Sequence, residues 1–285
     1  MNINTSEFKA VFTDTRQSDN FFRFLQVIFH LYPEDKFHYL IKEKTMELNT
    51  DEEIYKQVQA ELPKIKTFLS EFTYALPALK KQKKEIARQT LLLLGDTKRI
   101  NGYMEIGSTG RYISELRKHA EVNAPVLLLN DIAPSNSPAD IMERGQLRKL
   151  GSFVDIRNYE PLNIAEVANE SLDVITCYIG LHHCPEQKLA PFITSLYNAL
   201  RPGGKFIIRD HDVRNEEMAT FVSLVHTVFN LGLNESWEFE KKDYKNFKSA
   251  EEWSRIISQC GFRDAGQRIL QDKDPSDNTL MLFTK

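Results

Sequence analysis

The sequence predicts an α/β fold: a doubly wound, mostly parallel seven-stranded sheet ending in an antiparallel hairpin and preceded by an all-α region. Three observations carry this expectation. Apolar residues recur at helical spacing up to about residue 95; beyond residue 100 short apolar runs alternate with amphipathic stretches; the last two runs flank a turn too short for a crossover helix. Runs that are apolar throughout are strands buried on both faces, and alternation with helices implies parallel pairing.

In chain order, Phe21, Phe24, Leu25, Ile28 and Tyr32 share one helical face before Pro33. Ile65, Phe68, Leu69, Phe72 and Leu76 repeat the pattern before Pro77, Pro63 adds a further break, and the run 86–94 stops at Gly95, a helix C-cap. Strands are expected at 102–106, 126–129, 152–156, 172–178 and 205–208. Runs 262–270 and 279–283, joined by the turn-rich DKDPSDN, should pair antiparallel. The expected division is therefore 1–99, a helical lid or substrate region, and 100–285, the sheet domain, with a helical insertion at about 213–260. The insertion carries Met218, Phe221, Val222, Val225 and Phe229 at helical spacing, then Trp237, Tyr244, Phe247 and Trp253. Helices at these two places would cover an active site and exclude water, or would form a homo-oligomer contact; the sequence leaves both readings open.

Composition narrows the function classes. With 285 residues, 41% of them hydrophobic, a net charge of −3 and a pI near 6.2, the chain reads as a soluble globular protein without the basic face of a nucleic-acid binder. The runs KKQKK at 80–84 and Lys241-Lys242 read as solvated helix surface. Cys177, Cys184 and Cys260 form no CxxC pair and are odd in number, which fits a reducing, cytoplasmic location. A basic segment followed by an apolar one is missing at the N-terminus, and no apolar run of about 18 residues appears, so no membrane association is expected.

The stretch GYMEIGSTGRY, 102–112, is a strand ending in Glu105, followed by a turn with Gly107 and Gly110 where a helix should begin. Such a turn lets a nucleotide-like cofactor approach the backbone, although a glycine pair there also permits close helix packing. Asp131 closes the next strand about twenty residues later, where a carboxylate accepts from both ribose hydroxyls. These two features suit an NAD(P)-dependent oxidoreductase as well as a nucleoside-binding enzyme.

Further segments separate the two. SLDVITCYIGLHHCPE at 171–186, LRPGGKFIIRD at 200–210, the glycine turn and the closing hairpin together resemble the class I S-adenosylmethionine-dependent methyltransferases over roughly 100–285. The resemblance implies S-adenosylmethionine as cofactor, with Glu105, Gly107, Ser108 and Gly110 around its amino-acid portion and Asp131 on the ribose. It also implies that Asp155 and Ile156 flank the adenine and that Tyr178 and His182 lie beneath the sulfonium. The bland readings are a core aromatic for Tyr178 and a turn cap for Asp155. The segment 88–90 is a candidate to fold over the cofactor. One departure stands out: the family's first motif runs acid-x-Gly-x-Gly-x-Gly, whereas Thr109 here replaces a glycine or the loop is one residue shorter. A turn so altered that it no longer held cofactor would make the chain a non-catalytic, methyltransferase-like interaction module; the retained Glu105 and Asp131 count against that.

Methyl transfer from a sulfonium needs alignment and, for a weak nucleophile, a base. The fourth strand ends in CYIGLHH rather than the Asn/Asp-Pro-Pro-Tyr pattern often used on amide or amino nitrogen. His183, His211 and Asp210 are the catalytic candidates, since histidine titrates near neutrality. His183, Asp210 and Asp212 are conceivable metal ligands, but no matching acid follows the fourth strand and no metal is expected. The expected reaction is methylation of a small organic substrate at oxygen.

Overall fold

The computed structural model describes residues 6–65, 76–145, 147–178 and 180–285; Phe68, Leu69 and Phe72 of the expected second helical face lie outside them. The chain forms two compact units. One comprises the described part of Met1–Lys80 with Asp212–Phe247 and Gln271–Asp277; the other comprises Lys81–His211, Lys248–Leu270 and Asn278–Lys285.

The first unit is helical. Polar side chains start its helices: Ser6 accepts from the Lys9 amide ahead of Glu7–Phe12, Asp14 from Gln17 ahead of Thr15–Phe24, and Asn215 from Met218 ahead of Glu216–Gly232. After Thr15–Phe24 a single π-turn, Leu25–Phe29, continues the expected apolar face. Its core joins Phe8, Phe12, Phe21, Phe24, Phe29 and Phe37 to Phe221, Val225 and Val228. Rings interlock within it: Phe21 meets Phe221 edge-on at 5.9 Å, Phe24 meets Phe229 at 5.7 Å, and Tyr32 Oη donates to the Gly232 carbonyl at 3.0 Å.

In the second unit seven strands run β1 (Arg99–Ile106), β2 (Glu121–Asn130), β3 (Ser152–Asp155), β4 (Leu172–Cys177), β5 (Leu200–His211), β6 (Arg263–Leu270) and β7 (Asn278–Thr284). Their order across the sheet is β3-β2-β1-β4-β5-β7-β6, parallel from β3 to β5 and antiparallel from β5 through β7 to β6. The LRPGG segment lies inside β5: Leu200 pairs with Leu172, Lys205 with Val174, and a register shift absorbs the residues between.

Side chains alternate across the sheet, so each face has its own core. Met104, Ile106, Leu129, Cys177, Phe206 and Ile208 pack under helix Glu186–Ala199 and the Trp253 helix, Ala250–Gln259. Tyr103, Val174, Ile207, Leu280 and Leu282 pack under Ile86, Leu93 and Leu94 of helix Leu76–Leu94. The two expected helical segments therefore divide by their apolar stripes. The residues from Lys81 onward join the sheet unit, and the 213–260 stretch contributes its first helix to one core and Trp253 to the other. No helix of the described residues is long and apolar enough to cross a membrane.

Candidate active site

Register brings the singled-out residues to one edge. Ile106 aligns with Leu129 and with Cys177, Asn130 with Asp155, and Cys177 with Ile208. The glycine turn, Asp131, Ile156 and Tyr178 thus follow directly on the carboxyl ends of the parallel strands, and the segment 209–211 forms the carboxyl end of β5, still paired with β7. The strand order reverses between β1 and β4, and open α/β sheets bind ligands at such a point.

Glu105 is fully buried and spends both oxygens on its own turn. Oε1 accepts from Ser108 Oγ and from the Tyr112 amide at 3.1 Å; Oε2 accepts from the Ile113 amide at 2.9 Å and from Tyr103 Oη at 3.1 Å. Ser108 Oγ in turn accepts from the amides of Gly110 at 3.1 Å and Arg111 at 3.0 Å. The helix that follows is short, Ile113–Leu116, and its leading amides are satisfied by Glu105. Burial pushes the Glu105 carboxyl up; the hydrogen bonds from Ser108, Tyr112, Ile113 and Tyr103 recover part of that, and the net shift is upward. Gly110 sits at φ +99°, a conformation that side chains rarely adopt.

The turn also keeps one donor in reserve. Thr109 is buried, and its Oγ1 has no hydrogen-bond partner among the described residues. A buried hydroxyl left unmade costs about 1–3 kcal/mol, so this atom suits a turn that meets a polar ligand.

Behind the turn lies a set of hydroxyls, of which the motifs did not single out Tyr103 and Thr176. Tyr103 Oη donates to Glu105 and accepts from Thr176 Oγ1 at 2.8 Å. Thr90 Oγ1 donates to the Ile86 carbonyl at 2.7 Å, so the Tyr178 hydroxyl, also 2.7 Å away, donates to Thr90. The Tyr178 ring meets Tyr112 edge-on at 4.7 Å. Thr90, expected over the cofactor, thereby ties helix Leu76–Leu94 to the end of β4, and Tyr178 has its hydroxyl engaged on this face. The period of two that puts Tyr103 beside Glu105 is the signal by which the sequence discloses the first of these contacts.

Asp131 is exposed just past β2, Ile156 is buried just past β3, and Asp155 accepts from the Arg157 amide at 2.8 Å. Arg157, Asn158 and Tyr159 then follow at φ of +47°, +53° and +61°. Such a run is uncommon outside glycine, and no composition signal announces it. Lys188 Nζ donates to the Asn158 carbonyl at 2.9 Å, and the Tyr159 ring packs edge-on against Phe192 at 5.3 Å.

Beyond β4 and β5 the structure pairs His182 with Asp210. His182 occupies a single 3₁₀ turn, Leu181–His183; its Nδ1 lies 2.8 Å from Asp210 Oδ1, and both side chains are buried. The His211 amide donates to the same oxygen at 2.8 Å, while Oδ2 is buried with no donor among the described residues. Burial pushes the Asp210 carboxyl up, but the charge and hydrogen bond of His182, with the charge and amide of His211, outweigh it and hold the group below its ordinary range. An ionised Asp210 can only accept, so Nδ1 carries the proton and Nε2 is the basic nitrogen. The His183 ring lies 4.3 Å from that of His182 and the His211 ring 6.1 Å. Gly180 is required beside them: a Cβ there would stand 2.0 Å from His182 Nδ1 and 2.6 Å from Asp210 Oδ2. The nearby thiols are not nucleophiles, since burial pushes Cys177 well above its ordinary range and Cys184 to about 12.

Residues 104–208 match the family described as a methyltransferase domain. No curated protein matches the chain. Among solved structures, the O-methyltransferase family 2 protein from Planctomyces limnophilus in complex with apigenin is 14% identical, with a TM-score of 0.50 over 80% of this chain and 65% of that one. CurJ carbon methyltransferase is 16% identical, with 0.49 over 95% and 70%. The 1,6-didemethyltoxoflavin-N1-methyltransferase of Burkholderia thailandensis is 14% identical, with 0.46 over 73% and 78%.

Proposed function

We propose that this chain, whose residues 104–208 match a methyltransferase domain, is an S-adenosylmethionine-dependent methyltransferase that methylates a small organic molecule at oxygen, with His182 and Asp210 managing the acceptor's proton. The observation that carries the reading is the buried His182–Asp210 pair at the ligand edge of the sheet. S-adenosylmethionine, when bound, supplies a methyl group on a positively charged sulfur that is already activated for in-line displacement.

The chain then has two tasks. The first is to hold: Glu105 fixes the turn so that Gly107, Ser108 and Gly110 present a set shape, Asp131 is placed to accept from ribose hydroxyls, and Asp155 and Ile156 stand where the adenine would end. The second is to move a proton. His182 Nε2 takes it from a hydroxyl or carboxyl acceptor, and Asp210 stabilises the resulting imidazolium through Nδ1, a base role worth about 10²–10⁴-fold in rate. His183 and His211 line the same ring and orient the acceptor. The net charge of −3 supports a small acceptor over a nucleic acid.

Incubation with S-adenosylmethionine labelled in its methyl group, against a panel of phenols, hydroxy acids and amines, tests the reading. Label on oxygen acceptors is expected, with methyl esters distinguished from ethers by release in mild base. Transfer confined to amines contradicts it.

A further inference from the structure

The basic run at 80–84 is solvated at Lys80, Lys81 and Lys84 but not at Lys83, which is only 6% exposed. The Lys83 ammonium lies against Gly145: a Cβ at that glycine would stand 3.3 Å from Nζ and would meet nothing else within 4 Å. Gly145 is itself exposed and ends helix Pro138–Arg144 in the left-handed region, at φ +75°. The residue before it, Arg144, is fully buried. Its Nη atoms donate to the Ser135 carbonyl at 2.6 Å, Asn136 Oδ1 at 3.3 Å and the Leu147 carbonyl at 3.2 Å, and Nε has no partner among the described residues. These acceptors are all neutral, arginine stays protonated, and a buried charge without a counter-ion is costly. Hydrogen bonds from Ser135 hold the Asp140 carboxyl below its ordinary range, with the Arg144 charge contributing less; that carboxyl accepts from the Ser135 amide at 2.6 Å, not from the guanidinium. Lys81, Lys84, Arg148 and Lys149 expose further cations on the same helix and loop, in a chain whose net charge is −3.

We propose that Lys83 and Arg144 form a binding site for a phosphate group, built from residues that neither the glycine turn nor the His182–Asp210 pair uses. Lys83 donates at the open side of Gly145, and the Arg144 charge behind it holds the anion. Phosphate fits because it combines up to two negative charges with several acceptor oxygens, so it accepts from Nζ while neutralising the guanidinium. The site stands without the methyltransferase reading, since it involves no cofactor contact.

Calorimetric titration of the full chain with inorganic phosphate and with phenyl phosphate, against chloride of matched ionic strength, tests the site. Wild type should bind one phosphate per chain. Lys83→Met should weaken that binding about tenfold or more, because a charge-assisted hydrogen bond is lost, whereas Lys84→Met should stay within about twofold of wild type. Gly145→Asp sets a carboxylate against the same ammonium, at a backbone conformation that aspartate tolerates, and should weaken phosphate at least as much; it keeps the test open if Lys83→Met misfolds. Phenyl phosphate bound as tightly as inorganic phosphate assigns the site to a phosphorylated small molecule, and inorganic phosphate bound alone assigns it to the free ion; both sustain the proposal. Wild type that takes up neither overturns it, as does wild-type affinity in both Lys83→Met and Gly145→Asp, or a loss in Lys84→Met equal to that in Lys83→Met.

Discussion

The turn after β1 and the end of β5 each bury a carboxylate, and they use it in opposite ways. Glu105 takes donors on both oxygens from residues 103–113, and burial leaves its carboxyl raised. Asp210 takes His182 and the His211 amide on one oxygen, keeps the other without a donor among the described residues, and is held low. A carboxylate saturated by its own loop is a structural clamp. One that is ionised, half-saturated and bonded to an imidazole is poised for proton chemistry.

The comparison is broken most severely at Gly180. Gly180→Ala drives a methyl group into His182 and Asp210, and methyl transfer should fall by about 10² or more while S-adenosylhomocysteine affinity stays within a few-fold. Next comes the clamp: Glu105→Gln turns an acceptor into a partial donor facing two amides and two hydroxyls, and urea denaturation should show a loss of about 2–3 kcal/mol together with weaker cofactor binding.

The two carboxylates also separate by pH. The raised Glu105 binds more protons in the native state, so its contribution declines as pH rises from the ordinary carboxylate value through the raised one. The lowered Asp210 contributes fully above the ordinary value and is lost as pH falls through its folded value. Stability measured across acid pH should therefore lose the first slope in Glu105→Gln and the second in Asp210→Asn. The smallest effect belongs to the hydroxyls behind the turn: Tyr178→Phe removes one hydrogen bond to Thr90 and should cost about 1 kcal/mol in the same denaturation assay.

Much of this molecule was legible in its sequence. All seven strands overlap the runs that announced them; β1, β4, β5 and β7 are largely buried and leave a near-continuous apolar signature, whereas β3 and β6 are mostly exposed, and the DKDPSDN turn joins an antiparallel pair as its length requires. The ends moved where turn residues are carried within a strand, as with Pro202 and Gly203 inside β5. Glu105 was visible because its hydrogen bonds are local to one strand end and the turn after it. The partnership of His182 with Asp210 was not, since two adjacent histidines are alike in sequence and only the 3₁₀ turn and the β4–β5 register decide which meets the carboxylate. Thr90 and Tyr178, far apart in the chain, meet through helix packing that periodicity alone does not register.

The central claim, that His182 paired with Asp210 takes the acceptor's proton, is tested most directly by single-turnover methyl transfer against pH in wild type and Asp210→Asn, each preloaded with S-adenosylmethionine. Wild type should rise with one ionisation in the imidazole range, and Asp210→Asn should fall by about 10²–10⁴-fold and lose that limb. A wild-type rate that is flat across this range, or an Asp210→Asn rate that equals it, would contradict the account.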